Sequence, residues 1–153
     1  MHTARQLLFD SLHTGSIAGA ATTLAVAALG KVEDDNAIAP LNAVSHIVFG
    51  DRAAKANRAS WKYTFTGLLL NWAAVTSWAA MYEYFFGRAA KAGRVNDALL
   101  GGAVISGIAY VTDYHVVPKR LTPGFEKRLS NGSLFAVYAA LALGLAIGGL
   151  RRP

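Results

Sequence analysis

SLHTGSIAGAATTLAVAALG, residues 11–30, contains no formal charge. The hydrocarbon core of a bilayer asks for about 20 predominantly apolar residues per helix, so this stretch reads as a membrane span. Three further stretches meet the same test: 63–86, whose only charge is Glu83, 98–117, whose only charge is Asp113, and 129–150, which has none. A secretory leader would pair a basic start with a small-residue cleavage site ahead of a soluble domain. Only Arg5 supplies basic character before residue 11 and no such site precedes a soluble domain, so the first span is expected to be retained.

Composition agrees with that reading. The 153 residues are 54% hydrophobic and 16% charged, with mean hydropathy +0.32. That is too few charges for an ordinary soluble surface and too much apolar matter for disorder. Cysteine is absent, which removes disulfides, thiolate metal sites, thiol catalysis and covalent haem attachment together. The formal charge of +6 does not point to nucleic acid, because the cations stand between apolar runs rather than along one face with interleaved aromatics. They fit positively charged membrane flanks.

The loops between the four runs are short, so neighbouring helices should be antiparallel and the chain one transmembrane domain. The expected fold is all-α: a polytopic, four-transmembrane-helix antiparallel bundle. Segment 31–62 is the exception to the short loops. It opens KVEDDN, continues AIAPLNAVSHIVFG and ends in the basic DRAAKANRASWK. Pro40 suits the first turn of a helix and Gly50 suits its stop, which predicts a short helix over about 40–49. Ten or so residues rise only about 15 Å, so this helix is interfacial or re-entrant. Asn42, Ser45 and His46 share one of its faces.

Rows of small residues predict where helices meet, because they let backbones approach in lipid: Gly15 and Gly19, Gly102 and Ser106, then Ala140, Gly144 and Gly148. Alternation of the spans puts segment 31–62 and loop 118–130 on one face. That face holds nine of the Lys and Arg residues against six on the other, Arg152 among the six, and the bias favours a cytoplasmic assignment for the more basic face.

Topology sorts the polar residues into two groups that do not meet. On the N-terminal side, His13 and Glu83 are a candidate charge-assisted pair between spans one and two. On the other side stand His46, Asn42 and Asp113. Asp113 shares a helix face with Ala109, Ser106 and Gly102, so it should point inward, with His46 or Asn42 as its partner. Such a pairing would hold the short helix against the bundle. His115 lies about 200° around the helix from Asp113 and is not its chelating mate. Pro118 ends that helix, and Leu121–Phe125 (LTPGF) suits a type II turn. Asn71, in the middle of the second span, should bond to a neighbouring helix or line a small wet cavity. Lys119, Arg120, Lys127 and Arg128 flank the turn as candidate contacts for anionic lipid.

These residues do not make a catalytic or cofactor motif. GxSxG, HExxH and phosphate-loop patterns are missing, a metal would draw ligands from unrelated segments, and a b-type haem lacks opposed histidines. No cofactor is expected. APLNAVSHIVFGD (39–51), the tryptophan-containing second span and DYHVVPKRLTPGFEKRLS (113–130) resemble an uncharacterised group of small proteobacterial inner-membrane proteins. The resemblance implies a multi-pass place in the bacterial inner membrane and a four-helix form, and carries no activity. Two classes of function follow. One is a non-enzymatic membrane component that binds lipid, anionic lipid included, or a larger membrane partner. The other is an ion or small-solute transport or sensing element, working as a homo-oligomer through a pocket around Asp113 and His46.

Overall fold

The computed structural model describes residues 3–151; Arg152, one of the cations counted above, lies outside them. Among the described residues every regular element is helical. Helix α1 (Ala4–Asp34) starts at a reciprocal cap: Gln6 N–H donates to Thr3 Oγ1 (3.2 Å) and Thr3 N–H to Gln6 Oε1 (3.0 Å). It closes at Asp35, whose φ of 48° is left-handed, with the Lys31 ammonium on the Asp35 carboxylate. The Asn36 side chain then accepts from the backbone N–H of Ile38 (2.9 Å) and Ala39 (3.0 Å), which starts the next turn of helix.

The helix expected over 40–49 forms, but as two pieces, α2 (Ala39–Val44) and α3 (His46–Phe49). Ser45 is the break, and its hydroxyl donates to the carbonyl of Asn42 (2.7 Å). Pro40 sits in the first turn, and Gly50 with φ 73° supplies the stop before α4 (Asp51–Ala54). All of α2 is buried, together with Ser45 and His46.

A helical run then covers the second expected span: a π-turn at Trp61–Phe65, α5 (Thr66–Tyr82), a second π-turn at Glu83–Gly87 and α6 (Arg88–Lys91). Helix α7 (Val95–Val111) continues into a π-turn at Thr112–Val116 and stops at extended Val117, as Pro118 requires. Gly124, with φ 91° and ψ −11°, completes the turn after Pro123, and α8 (Asn131–Gly149) ends the fold. Among the described residues three helices are long and apolar enough to cross a membrane: Ala4–Asp34, Val95–Val116 and Asn131–Gly149. The helix through α5 is not among them, and Asn71, Trp72, Thr76, Ser77 and Trp78 occupy its middle.

The chain divides into two compact units. The first takes the chain up to Thr22, Trp72–Ala109 and the chain from Tyr138 onward. Its helices touch through the small residues anticipated above. A methyl group added at Gly15 would stand 2.7 Å from Cα of Thr76, one at Gly144 2.6 Å from Cα of Ala18, and one at Gly148 2.8 Å from Cα of Thr14. Gly102 lies against the carbonyl of Ala142, and Ser106 donates to the carbonyl of Tyr138. The second unit, Thr23–Asn71 and Tyr110–Val137, closes over a core of Val26, Leu41, Val44, Phe125, Leu129, Leu134 and Val137. Gly67 admits the carbonyl of Leu41, which seats α2 on the start of α5.

Candidate functional site

Glu83 is fully buried in the first unit. The π-turn that carries it ends at Gly87, where any Cβ would strike the Glu83 carboxylate, so EYFFG folds this acid back along its own helix. Thr14 Oγ1 donates to Oε1 of Glu83, and the Lys91 ammonium stands 3.5 Å from Oε2. Lys91 also binds Asp10, and the Arg151 guanidinium binds the other oxygen of Asp10. Two acids and two cations therefore alternate in the order Glu83, Lys91, Asp10, Arg151. Oε2 of Glu83 makes no hydrogen bond, so Lys91 neutralises it by charge alone. A buried ion pair that loses one partner becomes strongly unfavourable, which makes this chain of charges a set of fasteners.

The expected His13–Glu83 pair does not form. His13 is exposed and its neighbour Thr14 is fully buried against the carboxylate. One residue is 100° of helix, and the contact of Gly148 with Thr14 fixes which side of α1 turns inward.

The second unit holds Asn42, His46, Asn71 and Asp113. Both amide hydrogens of Asn42 are spent on backbone carbonyls, Ala56 (2.9 Å) and Arg58 (3.0 Å), and its oxygen accepts from Thr64 Oγ1 (2.6 Å). Nδ1 of His46 stands 2.8 Å from the carbonyl of Ala43 and must be the donor, because a carbonyl only accepts. Nε2 is buried without a hydrogen-bond partner. The expected pairing of Asp113 with His46 or Asn42 is therefore absent: Asn42 has no hydrogen left for a carboxylate, and neither ring nitrogen of His46 bonds Asp113. Asp113 itself is half-buried in the π-turn after α7. Asn71 is buried, and its amide donates to Thr23 Oγ1 on α1 (3.4 Å), which is the interhelical bond expected of it.

The four basic residues about the Pro123–Gly124 turn separate into two kinds. Arg128 is a clamp: Nε donates to the carbonyl of Ala54 (2.7 Å), one terminal nitrogen to Asp34 (3.0 Å) and the other to Asn57 (2.8 Å). Lys127 lies 3.6 Å from Asp51. Lys119 and Arg120 are exposed and make no ion pair among the described residues. Three of the five N–H groups of Arg128 are thus engaged within the protein.

A further acid organises this unit without a sequence signal. Glu33, three residues past the charge-free run 11–30, accepts from Ser130 N–H (2.8 Å), Ser130 Oγ and Ser133 Oγ at the start of α8. The Ser130 hydroxyl above all, then Ser133 and the Ser130 backbone, hold its carboxyl below the usual range. A carboxylate there also complements the positive end of the helix. Among the described residues no group of three or more His, Asp or Glu side chains is set to hold a metal. No family model, curated protein or solved structure matches the chain.

Proposed function

We propose that the chain is a non-enzymatic, multi-pass component of a bacterial inner membrane, a four-span antiparallel bundle that works by holding membrane lipid, anionic lipid in particular. One observation carries the reading. Most polar side chains of the apolar helices bond within the protein, to one another or to backbone carbonyls, while large apolar side chains face outward: Leu24 is 71% exposed, Phe135 77% and Ile147 62%. That is the polarity of a body whose solvent is hydrocarbon. The helix through α5 is the fourth span on this reading. Part of its polar middle bonds to α1: Asn71 bonds Thr23, and Trp72 Nε1 bonds Ser16 (3.1 Å). Glu83, Lys91, Asp10 and Arg151 serve as fasteners in this account and do no chemistry.

Native mass spectrometry of the detergent-purified protein tests the function. The expected result is phospholipid adducts enriched in anionic headgroups over the source membrane. Adducts in the same proportion as the source membrane contradict lipid recognition.

A further inference from the structure

A shallow groove of about 370 Å³ runs over the start of the helix that leads into α5, lined by Ala59, Ser60, Trp61, Thr64, Phe65 and Leu68. Its lining is graded. Ser60 and Thr64 stand at the helix start, while Trp61 and Phe65, with ring centroids 5.5 Å apart, and Leu68 make the rest apolar. Trp61 is 83% exposed, the most open of the large hydrophobic side chains among the described residues. An aromatic ring left in this way at the end of an apolar helix belongs in the headgroup region of a bilayer.

One cation, Arg58, precedes the same turn, and another, Lys62, lies within it. Arg58 and Lys62 make no ion pair among the described residues, in contrast with Lys31, Lys127 and Arg128 of this unit, each of which faces a carboxylate. Their places are fixed from below. Buried Asn42 grips the carbonyls of Ala56 and Arg58 and accepts from Thr64, so one buried amide holds both the segment before the groove and a residue of its wall. Ser60 caps the helix by accepting from Tyr63 N–H (3.0 Å). The Lys62 ammonium rests over the rings of Phe49 (5.1 Å) and Tyr63 (5.3 Å), which orders the long side chain without neutralising it.

We infer that this groove seats one anionic phospholipid, its acyl chain along Trp61, Phe65 and Leu68 and its headgroup phosphate between Arg58 and Lys62. The inference rests on the lipid-binding reading above and deepens it by naming the place and the headgroup class. At the Pro123–Gly124 turn, by comparison, Arg128 and Lys127 face carboxylates, while Lys119 and Arg120 make no ion pair among the described residues.

Trp61 supplies its own probe once Trp72 and Trp78 are replaced by Phe. The protein is reconstituted in phosphatidylcholine vesicles, and Trp61 quenching is titrated with brominated phosphatidylglycerol or, separately, brominated phosphatidylcholine. A near-surface cation gives about a fivefold preference for an anionic headgroup, so half-quenching should come at a fraction of brominated anionic lipid at least about fivefold smaller than that of brominated phosphatidylcholine. Arg58→Gln with Lys62→Gln should bring the two titrations together, Lys62→Arg should keep them apart, and Lys119→Gln with Arg120→Gln should leave the difference intact. Coincident titrations in the parent protein overturn the inference. Loss of the difference in the Lys119 and Arg120 variant, with the Arg58 and Lys62 variant unchanged, also overturns it but leaves the lipid-binding reading standing. That reading falls separately, through adducts without anionic enrichment in the mass measurement.

Discussion

Thr14, and not its neighbour His13, donates to the carboxylate of Glu83. The bond joins residues 69 positions apart, in a part of the fold where water does not reach the acid. Thr14→Val keeps the side chain's shape and removes the donor. It should cost about 1.5–3 kcal/mol, the range for a hydrogen bond to a charged group, whereas His13→Ala should stay within about 0.5 kcal/mol. Thermal unfolding in detergent measures both.

Lys91 serves both Asp10 and Glu83, so its loss should be felt twice. Lys91→Met leaves Glu83 without a cation, and breaking a buried pair in this way costs about 3–5 kcal/mol. Glu83→Gln in the same chain should recover much of the loss, because the uncompensated charge is then gone. A double-mutant cycle between the two positions should therefore show strong coupling, and additive losses would remove the pair from the account.

The charges show where the sequence was legible and where it was not. Three of the expected helices of membrane length and apolarity could be read, because apolar runs of that length leave little else to form. The punctuation could be read because Pro40, Gly50, Pro118 and Gly124 each restrict the backbone in a known way. Inward phase could not: His13 and Thr14 are adjacent, and only the packing of Gly148 onto α1 decides between them. Asn42 was expected to seek a side chain and instead took the carbonyls of Ala56 and Arg58, which every residue offers and which leave no mark in a sequence. Arg128 was legible as a cation beside a turn. That its donors reach Asp34 and Asn57, 94 and 71 positions away, belongs to the tertiary fold alone.

The small-residue rows give a paired test of close helix packing. Gly102 lies against the Ala142 carbonyl, so Gly102→Ala forces backbone apart and should cost about 1–3 kcal/mol. Gly107, on the same helix, has nothing within 4 Å of an added methyl. Gly107→Ala should be neutral or stabilising by up to about 1 kcal/mol, through helix propensity. Equal effects at both sites would contradict the packing described.

Acid should loosen the start of α8. The hydrogen bonds from Ser130 and Ser133 depress the carboxyl of Glu33 in the folded state, so its contribution is fully present above the ordinary glutamate range and is lost as pH falls through the lowered value. Wild type should therefore exceed Glu33→Gln in melting temperature at neutral pH, and the gap should close on acidification. A gap that holds constant through the acid range would remove the carboxylate from this role.

The central claim is that four helices cross the bilayer, the polar one through α5 among them, and cysteine accessibility tests it most directly because the chain has no cysteine of its own. Single cysteines at the exposed positions Gln6, Lys55, Ala92 and Arg120 are treated with a membrane-impermeant maleimide in sealed vesicles of known orientation. Four crossings predict that Gln6→Cys and Ala92→Cys label from one face, and Lys55→Cys and Arg120→Cys from the other. Labelling of Lys55→Cys and Ala92→Cys from the same face would mean that the helix between them does not cross, and would contradict the account.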